Sequence, residues 1–282
     1  APAAETDPNV MKKPIEPGRS FDPSFVKSQV TDEKLVSKRR EQIVAAGVEL
    51  FSERGYYRTT IQDIARKAGV SIGLIYQYAQ TKEDILLLSL MSVMETYKQG
   101  IPDAASGRTD PLDVLWASLA AYCRTVDRAR NAAVLAYRST KSLPREHRQF
   151  LKQVELETNE LIAKALQDCI DAGLFRQINV DLVTYQFVLY AHTWALKHWR
   201  LSQFTDIEGY IAQGFDFFVH AMATPRGLAK YEEFLKERRA EEASGKASAR
   251  TAAKKAEAAP AKPAAKKAKP ATRNGSRSIP KA

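Results

Sequence analysis

Apolar residues recur at spacings of three and four along most of the chain, the pattern of amphipathic helices. Val36, Ile43, Val44, Gly47, Leu50 and Phe51 form such a stripe and predict a first helix over 37–54, stopped by Gly55. Thr60 reads as the N-cap of a short second helix carrying Ile61, Ile64, Ala65 and Ala68 and closed by Gly69. Ser71 caps a third, from Ile72 to about Tyr78. Thr81 caps a fourth, whose first turn holds Glu83 and Asp84, placed to suit the helix dipole.

After a break over 100–111 the helical period resumes. Leu112, Leu115, Trp116, Leu119, Cys123 and Val126 mark one helix, and 132–139 a shorter one. Pro144 opens a long helix with Leu151, Val154, Ile162, Leu166 and Cys169 on one face, ended by Gly173. The segment 182–201 is apolar on nearly every side and must be covered on more than one. The segment 206–222 repeats cleanly through Tyr210, Phe215, Phe218 and Met222, and a charged helix around 228–239 leads out. No run alternates β-branched residues, so the predicted fold class is all-α.

Composition changes the picture at the two ends. Four prolines in the first 17 residues read as a flexible arm. The stretch 246–282 is Ala, Lys and Pro, with eleven bases against the single acid Glu257, and is expected to be disordered. That stretch holds the whole of the +10 formal charge, and the other 245 residues are neutral. No apolar run approaches the ~18–20 residues of a membrane span. The beginning of the chain lacks the apolar centre of a secretory signal. A cytoplasmic protein is expected, with no membrane partner. Cys123 and Cys169, without CxxC spacing, read as small core residues.

Three short helices separated by tight turns read as a helix-turn-helix. The run T-T-I-Q-D-I-A-R-K-A-G-V-S-I-G-L-I-Y-Q-Y-A-Q-T-K-E-D-I-L, from Thr59 to Leu86, closely resembles the DNA-binding domain of TetR-family transcriptional regulators. V-A-A-G-V-E-L-F-S-E-R-G-Y in the preceding helix fits the same pattern. Ala79 and Leu74 depart from it, where the family usually has an aromatic residue and often a threonine. The resemblance implies a dimeric, all-helical protein with an N-terminal helix-turn-helix and a C-terminal ligand and dimer domain. The chain then divides into an arm (1–34), the helix-turn-helix domain (35–82) and a ligand-binding and dimerisation domain (83–223). A charged helix (224–245) and the basic tail (246–282) follow.

Charge agrees independently. Residues 37–82 carry eight bases and four acids, whereas 83–245 carry 19 bases and 22 acids. Positive charge gathers where a phosphate backbone would lie. Thr60, at a helix N-terminus, offers a hydroxyl and backbone N–H groups to a phosphate. Ser71, Ile72 and Gly73 open the recognition helix, whose first residues reach base edges in the major groove. Ile72 can read only a thymine methyl, or is simply exposed; Gln77 suits adenine. Tyr76 and Tyr78 have the reach for phosphate contacts, and Lys82 is expected to pair with a phosphate; for Tyr76 the alternative is a core tyrosine, for Lys82 a solvated lysine.

Trp116, Tyr137, Phe187, Tyr190, Trp194 and His198 are the candidate lining of an effector pocket among the C-terminal helices, the plainer alternative being core and dimer interface. His192, Lys197, His198 and Arg200 either receive an anionic headgroup or are solvated; the run around them loosely resembles family members that sense acyl-CoA thioesters. The two histidines are six residues apart, a poor helical spacing for one metal, and no metal or cofactor is expected. Gly-x-Ser-x-Gly, HExxH and a Gly-rich phosphate loop are all absent, so the chain does not read as an enzyme. The expected function is a repressor released from double-stranded operator DNA by a small molecule, an acyl-CoA or another hydrophobic anion. It is expected to dimerise through 182–201 and 206–222. The rival is a non-specific, chromatin-like DNA-binding protein driven by the tail.

Overall fold

The computed structural model describes Val26 and residues 28–240. The expected tail and most of the expected arm lie outside the described residues. Ten helices run from Glu33 to Met222: α1 (Glu33–Arg54), α2 (Ile61–Ala68), α3 (Ile72–Tyr78), α4 (Lys82–Ala105), α5 (Pro111–Arg128), α6 (Arg130–Ser139), α7 (Arg145–Asp171), α8 (Val180–Leu196), α9 (His198–Leu201) and α10 (Ile207–Met222). A further helix, α11, spans 225–240. Among the described residues the sole β pairing is an isolated bridge between Phe175 and Ala223. The all-α expectation is met.

Local chemistry sets where the helices start. Asp32, Thr60, Ser71, Thr81, Asp110, Asn179 and Asp206 each accept a hydrogen bond from a backbone N–H in the first turn they precede. Each cap of this kind contributes about 1 kcal/mol. Thr60 with Asp63 and Thr81 with Asp84 complete reciprocal capping boxes. Gly69 ends α2 in the left-handed region (φ 66°), which turns the chain into α3 without a Cβ penalty.

Three boundaries differ from expectation. α1 begins at Glu33 rather than Ser37, because Asp32 supplies the cap. The residues just before it are held: Val26 is buried, and Gln29 N–H donates to the Gln77 carbonyl (2.8 Å). α4 continues through the expected break to Ala105, with Pro102 in its last turn, where the ring removes the bond to the Lys98 carbonyl and the helix ends three residues later. The predicted 182–201 helix stops at Leu196, where Lys197 leaves the helical region (φ −120°, ψ 21°), and α9 is a separate turn.

Residues up to Phe234 form one unit. α1 packs on α2, α3, α4 and α6, and α5 packs on α4, α7 and α8. The α1–α4 contact is close: a Cβ on Gly47 would meet Ile85 Cγ2 at 2.8 Å. Ile43, Leu50, Phe51, Ile64, Ile75, Ile85 and Leu86 are buried together, and the same core takes in Leu135 of α6 and Leu151 of α7. The helix-turn-helix therefore shares its interior with the C-terminal helices. Cys123 and Cys169 are free and buried, and burial pushes the Cys169 thiol up to about 12. The described residues of the second unit, 235–240, are helical. No described helix is long and apolar enough to cross a membrane.

Candidate functional site

α2 and α3 turn an apolar edge inward and a polar edge outward. Ile64, Ala65, Ala68 and Ile75 are buried, while Thr60, Ser71, Ile72, Gly73, Tyr76 and Gln77 are exposed. Tyr76 is 43 % exposed, so its phenol is free of the core. Gln77 offers its side chain outward while its backbone carbonyl anchors the N-terminal segment, accepting from Gln29 N–H and Ser28 Oγ (3.1 Å). Arg54, Arg58, Arg66 and Lys67 are exposed in the same domain.

Three expected contact residues have different surroundings. Tyr78 is 2 % exposed and belongs to the core with Ile75 and Leu86, so it does not stand on the outer edge beside Tyr76. On this seven-residue helix, positions 75 and 78 face inward, as does the capping Ala79, and 76 and 77 face outward. Thr60 Oγ1 is engaged internally: it donates to Asp63 Oδ2 (2.7 Å) and accepts from Asp63 N–H (3.1 Å). The Thr60 hydroxyl and the Thr60 N–H (3.1 Å), both donating to Asp63 Oδ2, hold this carboxyl below its ordinary pKa, so an anion already caps this helix start. Lys82 Nζ donates to the carbonyls of Tyr56 (3.0 Å) and Thr59 (3.1 Å) and lies 4.4 Å over the Tyr56 ring. It pins the α1–α2 connection, and its third N–H is the one left for a phosphate.

Sequence reasoning missed Arg40. Its guanidinium is buried and donates to the carbonyls of Tyr78 (3.2 Å) and Val26, tying α1 to the end of α3 and to the N-terminal segment. The signal was present: Arg40 is a base inside the apolar stripe between Val36 and Val44.

The six expected pocket residues make packing and polar contacts with neighbouring helices. Trp116 packs edge-on to Phe215, and Phe187 stacks on Phe218 (4.1 Å). Tyr190 stacks on Tyr210 (4.3 Å) and donates to its carbonyl (2.6 Å). Trp194 Nε1 donates to Asp127 (2.7 Å), and Asp127 also pairs with Arg130 (2.9 Å). Arg130 in turn donates to His198 Nε2 (3.0 Å). These are packing and bridging roles. Lys197 and Arg200 are exposed, and Arg200 lies over Phe204, so the four basic residues do not converge on one headgroup. A groove of about 1360 Å³ opens elsewhere, between α1, α4 and the α5–α6 corner, lined by Val36, Arg40, Val44, Leu88, Met91 and Arg130.

Tyr137 leads to a different cluster. Its hydroxyl bonds His192 Nδ1 (2.9 Å), and Tyr122 bonds the other ring nitrogen (3.3 Å). Tyr97 stacks on Tyr122 (4.3 Å). Burial depresses His192 to about 4, so the imidazole is neutral, and one ring nitrogen donates while the other accepts. Glu155 of α7 is raised by burial. Among the described residues no group of three metal-ligating side chains is found.

Residues 43–88 match the family described as bacterial regulatory proteins, tetR family, and residues 108–199 match a tetracyclin repressor-like C-terminal domain. The transcriptional regulator HbdR of Aromatoleum sp. (strain CIB) is 48 % identical over 202 residues, covering 72 % of this chain and 88 % of that protein. The repressor KstR2 of Mycobacterium tuberculosis H37Rv is 25 % identical over 166 residues, 58 % of this chain and 82 % of that protein. A tetR-family regulator from Rhodococcus RHA1 superposes with TM-score 0.61 at 20 % identity, covering 66 % of this chain and 97 % of that one. AibR, solved with isovaleryl coenzyme A and operator DNA, superposes with TM-score 0.56 at 18 % identity, covering 64 % and 97 %.

Proposed function

The chain belongs to the TetR family of bacterial transcriptional regulators, DNA-binding proteins rather than enzymes, and from that premise we propose that it is a homodimeric, cytoplasmic repressor released from its operator by a small molecule. The observation that carries the reading is the outer edge of α3: Ser71, Ile72, Gly73, Tyr76 and Gln77 are exposed together on a helix packed from behind through Ile75 and Tyr78. Ser71 to Gly73 and Gln77 would face base edges, Tyr76 and the free N–H of Lys82 the phosphates. Tyr78 is left to packing.

Exposed apolar residues support the dimer. Leu182, Tyr185 and Leu189 line an uncovered face of α8, and Phe217 stands out from α10. Pairing these faces across a two-fold axis makes a four-helix interface and sets the spacing of the recognition helices. They must lie ~34–36 Å apart to enter successive major grooves. Coupling has a physical route: Tyr137 ties α6 to His192 of α8, and Leu135 of the same helix sits in the core beneath α1. An effector that shifts α6 moves the reading heads off register. An acyl-CoA is a reasonable effector class, because AibR, of the same fold, was solved with isovaleryl coenzyme A and operator DNA.

The test is selection of duplexes from a random pool by residues 1–245, followed by footprinting. A palindromic site protected on two successive turns is expected. Equal affinity for selected and random duplex would overturn the reading in favour of charge-driven, non-specific binding.

A further inference from the structure

Buried polar atoms without partners are rare, and each calls for an explanation. Within the C-terminal helices, besides the His198 ring, three such residues lie on three packed elements. Tyr97 Oη of α4, both amide atoms of Asn159 of α7 and Thr184 Oγ1 of α8 are buried and complete no hydrogen bond with the protein. Asn159 lies beside the Tyr185 hydroxyl without closing a well-aligned bond. Each residue itself is at least nine-tenths buried. Leaving these valences open costs stability, so a fold keeps them only where something else closes them.

The surroundings say what. Thr184 and His192 lie on one face of α8, two turns or about 12 Å apart by helix rise, and Val188 between them is buried. Tyr97 stacks on Tyr122, which bonds His192. Glu155, one turn before Asn159 on α7, interacts electrostatically with Tyr122, Tyr137 and Tyr185, which places the two ends of the strip around it. The free atoms are mixed: an amide that both donates and accepts, and two hydroxyls that do the same. No lysine or arginine is among them, His192 is engaged on both nitrogens, and Glu155 would repel an anion. Aromatic rings flank the strip.

Resting on the reading of these helices as an effector domain, we infer that the strip Tyr97–Asn159–Thr184 binds the uncharged, oxygen-bearing end of the effector, a ring carrying a hydroxyl or carbonyl. A hydrocarbon tail leaves the orphans unmet, and a carboxylate meets Glu155. A charged carrier such as a coenzyme A moiety stays outside it. Tyr137, at the edge of the cluster and on α6, is the residue through which occupancy moves that helix.

Three probes with one ring separate the possibilities. Phenol, toluene and benzoate are titrated into the full chain, with binding read by calorimetry and melting temperature. Phenol is expected to bind saturably, and at least tenfold more tightly than either analogue. Tyr97→Phe and Thr184→Val remove one orphan oxygen each at nearly constant shape. Both are expected to keep or raise the melting temperature of the free protein, because an unmet group is lost, and the one whose oxygen meets the single phenol hydroxyl is expected to weaken phenol binding about tenfold. Equal affinity for phenol and toluene overturns the inference, as does phenol binding unchanged in both variants. A lower melting temperature with intact phenol binding overturns it too, because those oxygens would then be structural. Release of the selected duplex separates this from the broader reading. If phenol passes these tests but neither phenol nor isovaleryl-CoA releases DNA, the site stands and effector release falls. If isovaleryl-CoA releases DNA while the variants are silent, the reverse holds.

Discussion

Lys82 and Tyr76 are both proposed to meet DNA phosphates, yet they are built in differently. The Lys82 ammonium holds two backbone carbonyls and covers the Tyr56 ring, whereas the Tyr76 phenol is exposed. Removing a charged donor from two carbonyls is expected to cost about 1–3 kcal/mol, so Lys82→Ala should lower both the melting temperature and duplex affinity. Tyr76→Phe should weaken binding severalfold and leave the melt unchanged. Parallel melts and gel shifts check the contrast, and an unchanged melt for Lys82→Ala would show those two hydrogen bonds to be idle. His192 gives a pH signature. Its folded pKa, about 4, lies below the ordinary 6.5 because burial penalises the cation. The unfolded chain therefore takes up a proton that the folded one refuses. This stability is complete above about 6.5 and is lost as pH falls toward 4, by at most roughly 3 kcal/mol. His192→Asn should flatten that part of the difference between the two stability–pH curves, measured by urea unfolding from pH 7 to 4.

Between α8 and α10, Gly214 leaves no room for a side chain. A Cβ there would fall 2.2 Å from Tyr190 Cζ. The ring cannot swing away easily, because its hydroxyl donates to the Tyr210 carbonyl, its face stacks on Tyr210, and the Tyr210 hydroxyl donates back to the Tyr190 carbonyl (2.8 Å). Gly214→Ala should cost about 1–3 kcal/mol by overpacking and loosen α8 against α10, the proposed dimer pair. Denaturant unfolding with sedimentation would show both effects, and adding Tyr190→Leu should restore part of the loss. The element scale is also where sequence reading works best. Caps and helix-ending glycines are local signals, so Thr60, Ser71, Thr81 and Gly69 placed α2 to α4 closely. Ile64, on the apolar stripe expected of the second helix, is fully buried. Tyr76 and Tyr78 looked alike because side-chain direction on so short a helix depends on what packs behind it. The polar strip was hidden for a related reason. Thr158 and Asn159 interrupt the apolar face of α7 between Val154 and Ile162, but an interruption means nothing until α4 and α8 close over it.

The distribution of charge over the whole molecule separates affinity from recognition. Residues 246–282 supply eleven bases against one acid, while residues 37–82 have a modest surplus of eight bases over four acids. Selectivity, on the reading proposed here, comes from the exposed edge of α3, whose contacts with bases involve no net charge. Phosphate contacts release counterions, and log affinity falls with log salt by about 0.9 per phosphate neutralised. A chain ending at residue 245 should therefore bind random duplex with a distinctly shallower salt dependence, shallower by several units if most of the eleven bases reach phosphates. The ratio of selected to random affinity should be preserved or raised, because the tail strengthens both terms alike. Fluorescence anisotropy at 50–300 mM salt, with full-length and shortened chains on both duplexes, measures slope and ratio together. A shortened chain that kept the full slope would place the phosphate contacts in the helical body. One that lost the ratio would make the tail part of recognition, and the division between a reading head and a charged tether would fail.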